Sequence, residues 1–306
     1  MADEILFSGL GDLTLSAALH QELILLLADR ASLWRHPSIV YRGDIRATGS
    51  DTGKQPLVGL AGYDRMTAVA EGSSSSNTAL TDDSANITVA RQALQRQISD
   101  LANIIDAVGL LPMLLAQDAF GAAAMRFTEM IAQIVDDFSS TVGSTGVDMS
   151  VDDFFDAQFT LTQASVMGPY SSMLYPVQLT DFQNSVRAEG GAIQFREATR
   201  DMLDIKGPGF AGSFNGIDIF SSSLVQTVNA GADSGGGMWG RGALAYKDGT
   251  PAPVLGAGGL ALPAGTKIMT EFERDASGAL TKIVHNAYLG VGIEQDSMGV
   301  GIQTDR

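Results

Sequence analysis

The chain contains no cysteine. Disulfides, thiolate-bound zinc, iron–sulfur clusters and thiol catalysis are therefore excluded together. Histidine is almost as scarce: His20, His36 and His285 are the only three in 306 residues. That leaves little for imidazole ligation of a metal or for general-base chemistry, and no pair stands at metal-ligand spacing. Positive charge is also short, with 19 Lys+Arg against 35 Asp+Glu and a formal net charge of −16. Sequence-specific or tight binding of nucleic acid is not expected, because displacing counterions from phosphates needs a basic surface. Anionic membrane surfaces are disfavoured for the same reason. The longest near-continuous apolar run, Val108 to Ala116, falls far short of the roughly 20 residues that span a bilayer. The N-terminal MADEILF is acidic where a secretory signal would be basic, so a cytoplasmic origin is expected.

What the chain does have is length and glycine. Its 306 residues allow two domains of about 150 residues or one large elaborated one, and 35 glycines point to a turn-rich fold. Residues 13–33 read as a helix, with Leu19, Leu23, Leu26 and Leu27 at helical spacing and Pro37 closing it. From Ser38 to about Ile98 the apolar residues thin out among glycines, and Ser73–Ser76 is a low-complexity run. This block has too little apolar content for its own core, which favours an extended hairpin arm over a flexible linker. A helix start at Ser99-Asp100 follows, then a long helix from about Met113 to Phe138. Its apolar stripe is Phe120, Ala124, Phe127, Ile131, Ile134 and Phe138, with Arg126, Glu129, Gln133 and Asp136 placed on the opposite face.

The remainder is mixed. Residues 151–164 read as helical, and Thr180 with Gln183 has capping-box spacing before a short helix. Residues 193–203 are another helix candidate. Asn215-Gly216 marks a hairpin turn, residues 229–240 read as a glycine-rich loop, and a long terminal hairpin turns at Asp275-Ala276-Ser277-Gly278. The tetrapeptide Gly290-Val291-Gly292-Ile293 returns as Gly299-Val300-Gly301-Ile302, read as strand ends around a turn.

Motifs for chemistry are weak. Gly207, Gly209 and Gly212 spell G-x-G-x-x-G, but Pro208 removes one amide and Asn215-Gly216 turns the chain where the helix should begin. Gly49 and Gly53-Lys54 do not make a phosphate loop. Asp233-Ser234-Gly235-Gly236 resembles the nucleophile loop of chymotrypsin-like serine proteases, which would make Ser234 a nucleophile with His20 or His36 as base. Neither histidine has that family's setting, and a mobile loop is the simpler reading. Asp136-Asp137 and Asp152-Asp153 point about 100° apart on a helix, so they are read as solvated or capping acids. No catalytic residue, cofactor site or metal site is expected.

The order of parts is more telling than any motif: helix, long hairpin arm, rod helix, mixed α/β region, terminal hairpin. It resembles the major capsid proteins of tailed bacteriophages, with their HK97-like α+β fold. Glu71-Gly72 with its polar run resembles part of the family's E-loop, and Ile98-Ser99-Asp100 the end of its returning strand. Met113–Phe138 resembles the spine helix, and Met173–Pro176 and Gly216–Ser221 resemble axial-domain elements.

The resemblance implies an N-terminal arm at 1–37, an E-loop at 38–98, a peripheral domain at 99–150, an axial domain at 151–264 and peripheral C-terminal strands at 265–306. It implies self-assembly into hexamers and pentamers of an icosahedral head that encloses double-stranded DNA without sequence-specific contacts. A portal protein and a separate scaffolding protein are implied partners, with assembly in the bacterial host cytoplasm, residence in the virion and no N-terminal maturation cleavage. One branch of the family cross-links a lysine to an asparagine beside a glutamate. Lys54, Asn286 and Glu294 are the residues here, with plain surface roles as the ordinary reading. An encapsulin-type shell, a hydrolase using Ser234, and an adhesin or tail component are the alternatives.

Overall fold

The computed structural model describes residues 36, 38–45, 49–58, 68–74, 82–101, 111–189, 195–206, 209–249 and 268–306. The helix expected at 13–33, His20, the tip of the arm and Gly207 lie outside them.

A long α-helix, α1 (Leu111–Ile134), joins two sheets. At ~1.5 Å per residue its 24 residues make a rod of about 36 Å. Pro112 does not interrupt it but occupies its first turn, where a missing N–H costs nothing. The smaller sheet is built on β14 (Leu280–Ile293). One edge of β14 pairs with β13 (Ile268–Asp275) and, further along, with β12 (Leu244–Gly249), which in turn pairs in parallel with β1 (Ile39–Asp44). Its other edge carries β4 (Ala90–Ser99) over ten register pairs. The expected terminal hairpin is thus present as β13–β14. Helix α1 is tied to this sheet by Arg96 to Asp118, by Arg126 Nε to Gln92 at 3.1 Å, and by Phe127 edge-on to Tyr246.

The larger sheet has eight strands, with β10 (Thr227–Val228) paired to β11 (Asp233–Gly240) off the main path. That path runs β5 (Thr141–Val142), β15 (Gly299–Asp305), β11 (Asp233–Gly240), β6 (Tyr170–Leu174), β9 (Ile217–Ser221), β8 (Phe210–Phe214) and β7 (Phe195–Glu197). Two helices, α2 (Val151–Gln163) and α3 (Pro176–Ala188), close one face through Phe154, Phe182, Phe214, Ile219, Met238, Val300 and Ile302. The end of α1 closes the other with Phe127, Ile131, Val135, Phe220 and Trp239. Both helix starts are capped. Ser150 and Asp153 form a reciprocal box, and Gln178 Oε1 accepts the Tyr175 N–H at 3.0 Å.

Several expectations change. Helix α3 begins at Pro176, four residues before the expected cap, so Thr180 donates its hydroxyl to the Pro176 carbonyl inside the helix. Residues 193–203 are not one helix: β7 is followed by the short α4 (Arg200–Lys206). The expected boundary at 265 does not follow the sheets, because β12 joins the smaller sheet and β15 the larger. The largest change is at 229–240. The expected loop is largely β11, a central strand with all eight residues buried. Glycine runs disfavour strands through backbone entropy unless something approaches too closely for a side chain, and that holds here.

β11 and β15 alternate strictly. Gly235, Gly237 and Trp239 of β11, with Gly299 and Gly301 of β15, face the end of α1, while Ser234, Gly236, Met238, Val300 and Ile302 face α2 and α3. A β-carbon on Gly237 would overlap the Val135 carbonyl oxygen, and one on Gly299 would overlap the Phe138 ring. Substituting Gly237→Ala should therefore destabilise the fold by about 3 kcal/mol, as overpacking does against unyielding backbone. Urea unfolding of the variant checks this, and an unchanged midpoint would show that the helix end is free to shift.

Candidate assembly surfaces

Two features stand out from the packed body. The first is the arm, β2 (Thr52–Val58) paired with β3 (Asp82–Thr88). Its root rests on its own smaller sheet. Ile87 is fully buried, and Gly292 of β14 sits beneath it. A β-carbon on Gly290 would overlap the Thr88 carbonyl oxygen. Gly53 likewise leaves room for Lys247, whose amine and terminal carbons lie where a side chain would begin. Three glycines thus set how the arm leaves the body. Ala85, Ile87 and Val89 face inward while Asn86, Thr88 and Ala90 are exposed, the period-2 pattern of a strand with one covered face.

The second is the seat of α1 on the larger sheet. Asp136, expected on a solvated face, is 7% exposed and lies against Gly235 and Gly301. Its carboxylate accepts from Gln303 Nε2 at 3.1 and 3.2 Å. Burial raises its pKa to about 6, the Gln303 hydrogen bond working against that rise and the Asp137 charge with it. Asp137 and Asp152 are exposed. On the opposite face Gln178 is fully buried and its Nε2 lies 3.1 Å from Ser234 O, 3.1 Å from Ile302 O and 2.9 Å from Thr304 Oγ1. One side chain thereby ties α3 to both central strands.

The candidate chemical residues are scattered. Ser234 is fully buried on β11, and its hydroxyl has no hydrogen-bond partner among the described residues. Among the described residues no base reaches it, and its burial closes it to a substrate, so the structure lends the hydrolase alternative no support. His36 is engaged elsewhere, with Nδ1 2.6 Å from Ser38 Oγ, which also accepts from Trp239 Nε1 at 3.1 Å. His36 Nε2 stands 3.8 Å from Asp218 Oδ2. Burial works to raise the Asp218 pKa, yet hydrogen bonds from His36 and Lys206 outweigh it and hold it low. His36 and Ser38 are buried against Phe220 and Trp239 while Asp218 is half-buried beside Lys206, so this Ser–His–Asp arrangement serves as an anchor. The stretch after Lys206 leads into the strand β8 and not into a helix, which removes the dinucleotide motif.

Lys54 is exposed on the arm, Asn286 is buried and accepts from Arg91 Nε at 2.8 Å, and Glu294 is buried against Arg42. Asn286 and Glu294 are eight residues apart along extended chain, so roughly 26 Å separates them within one copy. Among the described residues no group of three or more histidines and acids is placed to hold a metal ion. None of the described helices is long and apolar enough to cross a membrane.

No protein-family model and no curated protein matches the chain. Solved structures do. The capsid of Ralstonia phage GP4 matches with a TM-score of 0.59 at 11% identity, over 88% of this chain and 87% of that one. The capsid of cyanophage P-SCSP1u matches with a TM-score of 0.57 at 13% identity, over 90% and 89%. The chain has the HK97-like capsid fold. An encapsulin complex from Synechococcus elongatus PCC 7942 also matches, with a TM-score of 0.57 at 10% identity, but over 74% of this chain and 78% of that one. Sequence reasoning recognised neither glycine floor, although the alternation of glycine with valine and isoleucine in both G-V-G-I copies carried the signal.

The raised Asp136 pKa has a sign that can be tested. Its folded value lies above the unfolded 3.8, so the stability it allows is full below about pH 4 and is lost as pH rises through about 6. With solvent screening, the loss is about 1–2 kcal/mol. Asp136→Asn should be the more stable form at pH 7.5 and lose that advantage at pH 4.5, read by thermal melting; a constant difference would refute the assignment. Ser234→Ala should leave the melting temperature unchanged or raise it, since it removes an unsatisfied buried hydroxyl worth about 1–3 kcal/mol. A clear drop would mean that the hydroxyl has a partner.

Proposed function

We propose that the chain is the major capsid protein of a tailed bacteriophage. The observation that carries this reading is coverage. Phage capsids match it along about nine-tenths of both chains. In this reading the β2–β3 arm is the E-loop, α1 is the spine helix of the peripheral domain with the smaller sheet, and the larger sheet with α2 and α3 is the axial domain. The subunits form hexamers and pentamers that close into an icosahedral head around double-stranded DNA. The head is assembled in the bacterial host cytoplasm with a portal and a separate scaffolding protein. The net charge of −16 keeps the enclosed genome from adhering. The protein is a structural subunit and not an enzyme.

An encapsulin-type shell is the second reading, favoured by the likeness to the cyanobacterial complex. The shorter match ranks it below the phage reading. Negative-stain electron microscopy of the purified chain, expressed alone and with its neighbouring genes, tests both. Closed shells, tubes or sheets of six-membered rings are expected. Small uniform shells filled with protein would favour the encapsulin, and a monomer in both preparations would overturn the assembly role.

A further inference from the structure

The stretch from Phe127 to Val186 carries eight acidic residues and no lysine, arginine or histidine, which is half the net charge of the chain in 60 residues. Within it, α2 buries Val151, Phe154, Ala157 and Leu161. At 100° per residue the side opposite that stripe is occupied by Asp152, Asp156 and Phe159, with Phe155 at its margin. Phe159 is 65% exposed, and Met167, just past the helix, is 84% exposed. Phe155 leans on the core ring of Phe214, 5.7 Å between ring centres, while Phe159 stands out into solvent among the aspartates. Exposed apolar ridges with charged rims mark contact surfaces.

The chain also carries a surface of complementary character. Arg187 ends α3, Arg196 lies on the edge strand β7 and Arg200 starts α4; all three are exposed, and none has an ion pair among the described residues. Between α3 and β7 a cavity of about 140 Å³ is floored by Val186 and Phe195, with Arg187 and Glu197 on its rim. Glu197 and Asp201 stand beside the arginines, so the edge is mixed in sign, but it offers the cations that the α2 face lacks.

We propose that the Phe155/Phe159 ridge of one copy docks on the α3–β7–α4 edge of a second copy, the phenyl rings over the Val186/Phe195 floor and Asp152 and Asp156 toward the arginines. This rests on the shell reading and names the partner of one of its surfaces. A second copy is the economical occupant, because it covers both patches at once, whereas a separate protein on either patch leaves the other bare. The contact is heterologous: pairing two α2 faces would oppose their aspartates, and unlike patches meeting head to tail generate rings.

Because the chain is free of cysteine, single thiols report on the contact directly. Chains carrying Phe159→Cys and chains carrying Arg200→Cys are assembled together and treated with a short bis-maleimide. The expected result is a cross-linked dimer in the mixture and none in either variant alone. A dimer from Phe159→Cys alone would overturn the head-to-tail pairing. Particles that close normally but give no dimer would overturn the inference and leave the shell reading intact, while a wild-type chain that stays monomeric would overturn both. Asp156→Arg should cut particle yield at least tenfold with its melting temperature unchanged, and adding Arg200→Asp should restore the yield; no recovery counts against the pairing. If the thiol of the Phe159→Cys chain is shielded only when a neighbouring gene product is present, the ridge belongs to that protein and the proposal is overturned.

Discussion

Backbone-to-backbone contact is the constraint on which the rest of this structure depends. At two places a segment crosses a strand so closely that no side chain fits between them, and at both the strand carries alternate glycines. Gly290 and Gly292 of β14 lie under the arm root. Gly235 and Gly237 of β11, with Gly299 and Gly301 of β15, lie under the end of α1. In the two G-V-G-I copies the residue between the glycines is a valine, Val291 or Val300, turned to the other face, so the same strand is a smooth floor on one side and side-chain packing on the other. The two G-V-G-I copies are one local solution used twice, in two different sheets.

This floor explains why polar groups cluster where they do. With no side chains on the sheet beneath it, the end of α1 brings the Asp136 carboxylate into direct contact with backbone, where burial disfavours its charge and Gln303 supplies the hydrogen bond. Gln178 does the equivalent work on the opposite face. The larger sheet is therefore held between α1 and α3 by side-chain amides as well as by its aromatic core. Its third polar anchor is the His36–Ser38–Trp239 chain where the polypeptide enters β1.

Much of this organisation was legible in the sequence. The rod helix, the arm as an extended hairpin, the turn at Asn215-Gly216 and the terminal hairpin followed from periodicity and turn chemistry, because each is a local property. Asn215 and Gly216 both take positive φ, as a tight hairpin requires. The reading failed where a distant segment decides. Residues 233–240 look like a loop until α1 is laid across them, and Asp136 looks solvated until the floor beneath it is known. Ser234 was conspicuous only because its glycine neighbours resembled a catalytic loop, and those glycines serve packing. Among the assembly surfaces, the arm was legible from its poverty in apolar residues. The α2 ridge was not, since Phe155 and Phe159 read as ordinary helix residues until their exposure was seen.

The strip from Leu280 to Asp305 carries the floors of both crossings in one run of chain. β14 is held along both edges as far as Leu289 and by β12 beyond it, and β15 runs beside β11 with β5 on its other edge at Gly301 and Ile302, with only the short turn at Asp296–Met298 between the two strands. A strand bonded on both sides does not stretch or slide by fractions of a residue, so it behaves as a rail. The pitch of the arm and the seat of the long helix are consequently referenced to the same rail, and their relative angle has one place to change, the turn that links its two halves.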